Sequence, residues 1–338
     1  MDALEELYLV IERDGAFAGA GAVRANVAYL TGIPADAVPG AIRALVEALD
    51  WRGGADWSAL LDRLHGIPAP AVARCAIDAA LHDAAARAAG VPLAVHLGGA
   101  FLPRVATNQT LFWSDDAAAM LAQVGRFVAD GFRSLKLRAG LAPLDDDLDR
   151  LALLRARVGP GVELAVDANG AGTRHEARRA AGRMAELGGV AYVEQPVAPD
   201  DRDGLYAVAA CGLPVMADEA LASPDDAARL RPPLLAHLKL VKFGGIRPLL
   251  GLARRLADAG IGLMVGQMNE GGLATAAAVH AAMVVRPRFA ELYGAQGLLD
   301  DPARGVADAG GGVSVPAAPG LGVELDLSGL RPIWEVTV

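Results

Sequence analysis

The chain has 338 residues, 53% hydrophobic and 21% charged, with 40 Gly and 20 Pro. That is long enough for two domains, or for one large α/β barrel with an addition, and apolar enough to bury a substantial core. Its 31 Lys and Arg face 40 Asp and Glu, a net charge of −9 with no Lys/Arg-rich run, which argues against nucleic acid or an anionic membrane as partner because their phosphates would be repelled.

Met1 is followed by Asp2, Glu5 and Glu6 rather than by the basic start of a secretory leader. The most apolar window, Leu273–Val285, is mostly alanine, contains His280 and is too short to cross a bilayer. Cys75 and Cys211 lack CxxC spacing and read as small core residues. These features predict a cytoplasmic protein.

In chain order, Leu7–Glu12 and Ala18–Val23 flank Asp14-Gly15, a hairpin signal. Helical patterns follow at Pro39–Leu49, Asp56–His65 and Ala71–Ala89, which together with the hairpin make a small α+β domain over residues 1–100. Residues 101–310 then repeat an architecture rather than a motif. Short β-type runs appear at Val105–Phe112, Ser134–Leu137, Val162–Val166, Val190–Val193, Pro214–Met216, Leu235–Leu240, Gly262–Val265 and Phe289–Leu292, separated by amphipathic segments such as Asp145–Val158 and Arg174–Leu187. Strand and helix alternating in this way imply a parallel sheet, and eight units favour a closed (β/α)8 TIM barrel over an open sheet. The tail, residues 311–338, has Pro316, Pro319 and Gly320 before a strand-like Gly322–Leu327, and is expected to leave the barrel and return to the first domain.

Reactive groups in such a barrel belong at the C-terminal ends of the strands. Strands three, four and five end in Asp167, Glu194 and Asp218, spaced 27 and 24 residues apart. Their ends are neighbours, so three carboxylates converge and repel one another unless a cation sits between them. Oxygen ligands suit a hard divalent ion such as Mg²⁺. Asn169, two residues beyond Asp167, shares its face and could bind a metal-held water, and Glu219 would back Asp218. On strand two, Lys136 and Arg138 share a face opposite Leu135 and Leu137. On strand six, Lys239 lies inside an apolar run. The two cationic strands flank the acids, and a lysine beside a metal and another cation is expected to have a lowered pKa. Lys242 reads as a snorkelling surface lysine, and His65, His82, His96, His175 and His280 as solvated or capping groups.

In this order, "AIDAALHDAAARAAGVPLAVHLGGA", "LKLRAG", "VDANG", "VEQP", "ADEA", "LKLVKFGGI", "GQMNEGG" and "VPAAPGLGVELD" resemble the enolase superfamily, in its mandelate racemase and muconate lactonizing enzyme family. The resemblance covers nearly the whole chain. It implies a modified barrel under an N-terminal α+β capping domain that the tail completes. It also implies Mg²⁺ on Asp167, Glu194 and Asp218, and abstraction of a proton α to a carboxylate through a metal-stabilised enediolate, as the superfamily does with a Lys or His base. The substrate would be a small carboxylic acid, and the outcome isomerisation, cycloisomerisation, racemisation or elimination.

By the same resemblance, a lysine at the position of Lys239 marks the muconate lactonizing subgroup. Lys136 would help bind the substrate carboxylate, and Glu270 would lie near it. Strand seven has no His, and His237 precedes Lys239 in a place where the mandelate racemase subgroup has no His base, so an acid-sugar dehydratase is disfavoured. The family pattern Lys-x-Lys on strand two is here Lys136-x-Arg138. A guanidinium hardly deprotonates, which favours one-base chemistry on Lys239 and leaves a catalytically impaired metal- and carboxylate-binding homologue as the rival. Dipeptide epimerases place Asp-x-Asp on strand eight, where this chain has Glu291 and Tyr293, so a cycloisomerase-like activity is expected. Family members also begin with a further strand and a closing loop, and this sequence starts almost directly at the cap's second strand. A homo-oligomer is expected by analogy of fold.

Overall fold

The computed structural model describes residues 3–52, 56–111 and 116–337. Phe112, the last residue of the first expected barrel strand, lies outside them, as do Met1 and Asp2.

The cap opens with an antiparallel hairpin, Glu6–Arg13 against Ala16–Arg24, turned at Asp14 and Gly15, both at positive φ (53° and 75°) as a tight two-residue hairpin turn requires. It lies on the 18-residue helix Ala71–Ala88, with helices Val38–Ala48 and Trp57–Gly66 beside that helix. The small residues explain the fit. A Cβ on Gly21 would come within 2.2 Å of the Ala76 carbonyl oxygen, so backbone lies on backbone there and no larger residue is tolerated.

Eight parallel strands follow in sequential order: Gln109–Leu111, Ser134–Arg138, Glu163–Asp167, Val190–Glu194, Val215–Ala217, Leu235–Lys239, Leu263–Gly266 and Phe289–Glu291, numbered below as barrel strands one to eight. Strand eight meets the start of strand one where Asn108 N–H donates to Ala290 O at 2.9 Å and Leu292 N–H to Thr107 Oγ1 at 2.8 Å. Strand alternation divides the apolar residues into two cores. Leu135, Leu137, Leu164, Val166, Leu238 and Val265 pack outward toward the helices, while Ala165, Tyr192, Met216, Met264 and Phe289 form a separate cluster inside the barrel. This inner plug is the floor beneath the strand ends. Strand eight is followed not by a helix but by the tail, so among the described residues the eighth unit lacks its crossover helix.

The tail's Gly312–Ser314 pairs with Ala307–Ala309 and with Val105–Ala106, and further on Leu321 N–H donates to the buried Asp83 of the long cap helix at 2.7 Å. His280, expected as a solvated or capping group, is instead fully buried in helix Gly272–Val285. Its Nδ1 accepts from Ala94 N–H at 3.1 Å and its Nε2 faces Leu321 O at 3.2 Å, joining barrel, cap and tail. His82 is buried as well.

Glu6 makes a second junction. Its carboxyl accepts from Tyr8 Oη at 2.9 Å and from Gly271 N–H, past the end of strand seven, at 2.9 Å. Burial pushes it up to about 7, against the pull of those two donors. An acid whose folded pKa is raised stabilises the fold fully below its ordinary 4.5, and that contribution disappears as pH rises to about 7. Urea unfolding across this window is expected to show a shallower fall in stability for Glu6→Gln than for the wild type. Parallel curves would remove Glu6 as a contributor.

Candidate active site

The parallel register brings the polar strand ends level. Arg138 pairs with Asp167, Asp167 with Glu194, and Glu194 with Met216, two residues before Asp218. Across the barrel Lys239 pairs with Gly266, and Gly266 with Glu291. At these strand ends lies a cavity of about 750 Å³ whose walls include Lys136, Arg138, Asp167, Asp218 and Lys239 from the barrel and Arg24 from the cap.

Lys136, buried on strand two, binds Glu194 Oε2 at 3.0 Å and Asp167 Oδ2 at 3.4 Å, and also pairs with Glu291. Burial pulls its pKa down, but Glu194, Glu291 and Asp167 together hold it well above its ordinary value. Lys239 donates to Asp218 Oδ2 at 2.6 Å. Burial opposes the charged form of Lys239 too, yet Asp218, Glu194 and Glu291 outweigh it and raise the pKa. The lowered value expected from the sequence belongs to a site with a cation among these acids; with the acids themselves as its partners, Lys239 is held in its charged form. Asp218 is buried and still held well below the usual carboxylate range by Lys239, Lys242 and His237. The Glu194 carboxyl, with burial dominant, is pushed up to about 7.

Two neighbours of Lys239 join the site, one against the sequence expectation and one for which the sequence assigned no role. Lys242 is no surface lysine but is buried, its Nζ donating to Asp218 Oδ1 (2.8 Å), Asp218 O (2.9 Å) and His237 O (2.8 Å). His237 is fully buried, with Nδ1 2.8 Å from Glu194 Oε1 and 3.4 Å from Asp218 Oδ1. The ligating atoms of Glu194, Asp218 and His237 lie within 4.8 Å of one another, a group that could hold a metal ion. Asp167 joins them through Lys136. The signal for His237 was its two-residue spacing from Lys239, which puts both on the inner face. For Lys242 there was none, since it sits in a short helix, Leu240–Phe243, after the strand.

Gln195 was also missed. Buried just after strand four at φ 36°, it accepts at Oε1 from Asp218 N–H (3.1 Å) and Ala220 N–H (3.0 Å), fixing the backbone that carries Asp218. Asn169 donates to Glu219 Oε1 at 3.1 Å, and its Oδ1 is buried with no hydrogen-bond partner among the described residues. Arg138 is half-buried on the cavity wall. Glu270 is buried and is not part of the cavity lining. Its Oε2 accepts from Met268 N–H at 3.3 Å, burial with the nearby Glu6 pushes its pKa up to about 8, and the wall there is formed by Gln267, Met268 and Asn269. On strand eight, Glu291 accepts from Asn108 Nδ2 at 3.0 Å besides pairing with Lys136, and Tyr293 Oη donates to Thr110 Oγ1 at 2.5 Å.

A capped parallel barrel with acids and lysines converging on its C-terminal face defines a class of enzyme. Residues 119–329 match the family model described as enolase C-terminal domain-like. The chain is 32% identical over 303 residues to the L-Ala-D/L-Glu epimerase of Bacillus subtilis (strain 168), covering 87% of this chain and 82% of that protein. It is 31% identical over 265 residues to muconate cycloisomerase 1 of Acinetobacter baylyi, covering 75% and 70%. A crystal structure of muconate lactonizing enzyme from Klebsiella pneumoniae superposes with a TM-score of 0.87 at 31% identity, covering 95% of this chain and 92% of that one. The protein belongs to the enolase superfamily, in its mandelate racemase and muconate lactonizing enzyme family. No helix among the described residues is long and apolar enough to cross a membrane.

Proposed function

We propose that this protein is a cytoplasmic, homo-oligomeric, Mg²⁺-dependent isomerase that removes the proton α to the carboxylate of a small organic acid, with Lys239 as the base. Residues 1–100 and the returning tail, 311–338, would cap a catalytic barrel spanning 101–310. The observation that carries this reading is the placement of Lys136 and Lys239 on opposite sides of one acidic cluster, both on the wall of the same cavity.

The donor set suits a hard divalent cation. Asp167, Glu194 and Asp218 offer carboxylate oxygens from adjacent strand ends, and the unpartnered Asn169 Oδ1 lies on the same wall. Bound Mg²⁺ supplies a Lewis acid for the substrate carboxylate and a positive charge that competes with the lysine ammoniums for these acids. The rest of the chemistry belongs to the chain's own residues. With a cation on these acids Lys239 would lose the carboxylate partners that hold it charged, and as the neutral amine its Nζ would take the proton. Lys136 and the permanently charged Arg138 orient the carboxylate, a task for which a planar guanidinium is well shaped and proton abstraction is not. Glu270, which is not part of the cavity lining, would act on substrate only through Met268 and its neighbours.

Relatives include dipeptide epimerases and muconate cycloisomerases. The cycloisomerase-like reading is favoured by strand eight, where Glu291 is engaged by Lys136 and Asn108 and Tyr293 by Thr110, leaving no paired acids for a substrate ammonium. The test is Mg²⁺-dependent exchange of solvent deuterium into the α-position across a panel of carboxylic acids, including the lactone acids formed from muconate-like diacids, and dipeptides. Exchange into a lactone acid but not a dipeptide is expected. Binding of Mg²⁺ and carboxylate without exchange into any of them would instead establish a catalytically impaired binding protein.

A further inference from the structure

The two oxygens of each central acid are held differently. One oxygen of each, the front one, goes to a lysine that lines the cavity: Lys136 takes Glu194 Oε2 at 3.0 Å and Lys239 takes Asp218 Oδ2 at 2.6 Å. The other, rear oxygens, Glu194 Oε1 and Asp218 Oδ1, face buried groups that are not part of the cavity lining: His237 Nδ1 at 2.8 and 3.4 Å, and Lys242 Nζ at 2.8 Å from Asp218 Oδ1. Lys242 uses all three of its N–H donors, on Asp218 Oδ1, Asp218 O and His237 O, so it locks the backbone of His237 to Asp218.

His237 has little freedom to do anything else. A Cβ on Gly266 of strand seven would lie 2.0 Å from His237 Nε2, so glycine there makes room for the ring. Nε2 has no hydrogen-bond partner among the described residues. With a divalent ion on Glu194 and Asp218 both acids are ionised and their oxygens only accept, so the imidazole that faces them carries its proton on Nδ1. A nitrogen that is donating a proton cannot also donate a lone pair to a metal.

The geometry points to His237 as a positioning residue: its Nδ1–H, steadied by Lys242, clamps the rear oxygens of Glu194 and Asp218 so that their front oxygens are presented to the divalent ion. This rests on the reading of the site given above and adds a group from outside the three acids. Such supporting hydrogen bonds orient ligands and are worth about 10–100-fold in metal affinity.

The experiment is calorimetric titration of the whole chain with Mg²⁺, for wild type, His237→Leu and His237→Asn. It is joined by electron spin-echo spectroscopy of the wild type loaded with Mn²⁺. Asparagine carries an N–H on Cγ, where imidazole carries Nδ1, so it keeps the clamp. The expected result is a loss of about 10–100-fold for Leu, recovery to within about threefold for Asn, and no nitrogen coupling to Mn²⁺. Equal affinity in the Leu variant overturns the clamp, and so does a nitrogen coupling, which would make His237 a ligand. Should the Leu variant fail to fold, the nitrogen measurement and the Asn affinity still decide. A wild type that takes up no Mg²⁺ overturns the reading of the site and the clamp together, whereas a binding wild type with an indifferent Leu variant overturns the clamp alone.

Discussion

Lys239→Ala is expected to lower α-proton exchange by about 10²–10⁴-fold, the usual worth of a positioned general base, while Mg²⁺ uptake stays within a few-fold of wild type. The separation follows from geometry. Lys239 reaches only the front oxygen of Asp218, and the rear oxygen keeps Lys242 and His237. Deuterium incorporation followed by NMR, with calorimetry on the same preparation, checks both halves. Exchange at the wild-type rate would take Lys239 out of its role. Loss of metal binding together with exchange would make it a structural partner of Asp218 instead.

The largest effect on stability is expected for Lys136→Met. Its ammonium is buried against Asp167, Glu194 and Glu291, and removing it leaves three acids in a low-dielectric site without their nearest counter-charge. Breaking a buried ionic cluster from one side costs about 3–5 kcal/mol. In chelator the variant should therefore unfold at a much lower urea concentration than wild type. Added Mg²⁺ should recover more stability in the variant than in the wild type, because a ligand that binds only the folded chain stabilises it by mass action. An unchanged urea midpoint in chelator would mean that the acids take up protons at negligible cost. A variant that Mg²⁺ does not rescue would count against an ion among these carboxylates.

Much of this arrangement is legible in the sequence. Seven of the eight apolar runs, the helices between them and the hairpin at Asp14-Gly15 lie within a few residues of the observed elements, because each reports a local periodicity; the first run is divided, Val105–Ala106 pairing with the tail and Gln109–Leu111 forming the barrel strand. Strand alternation also put Lys136 and Arg138 on the inner face and Leu135 and Leu137 on the outer one, as found. The burial of His280 and Lys242 was not visible. Each lies in a helix whose own sequence does not say what covers it: for His280 the return of Leu321 from 41 residues away, for Lys242 the carboxylate of Asp218 on the neighbouring strand. Gln195 was passed over for the same reason, since a glutamine after a strand looks like any other until the next strand's N–H groups are set against it.

The sequence by itself determined the repeating strand and helix order, the inward parity of the charged residues and the presence of an acid at three successive strand ends, all consequences of spacing along one segment. Only the tertiary structure decided which cation holds each oxygen of each acid, and that the amine of Lys239 is surrounded by carboxylates from several strands. Those depend on distances of a few ångströms between groups far apart in the chain, where Coulomb energy and desolvation are both large and their balance turns on geometry that no local pattern encodes.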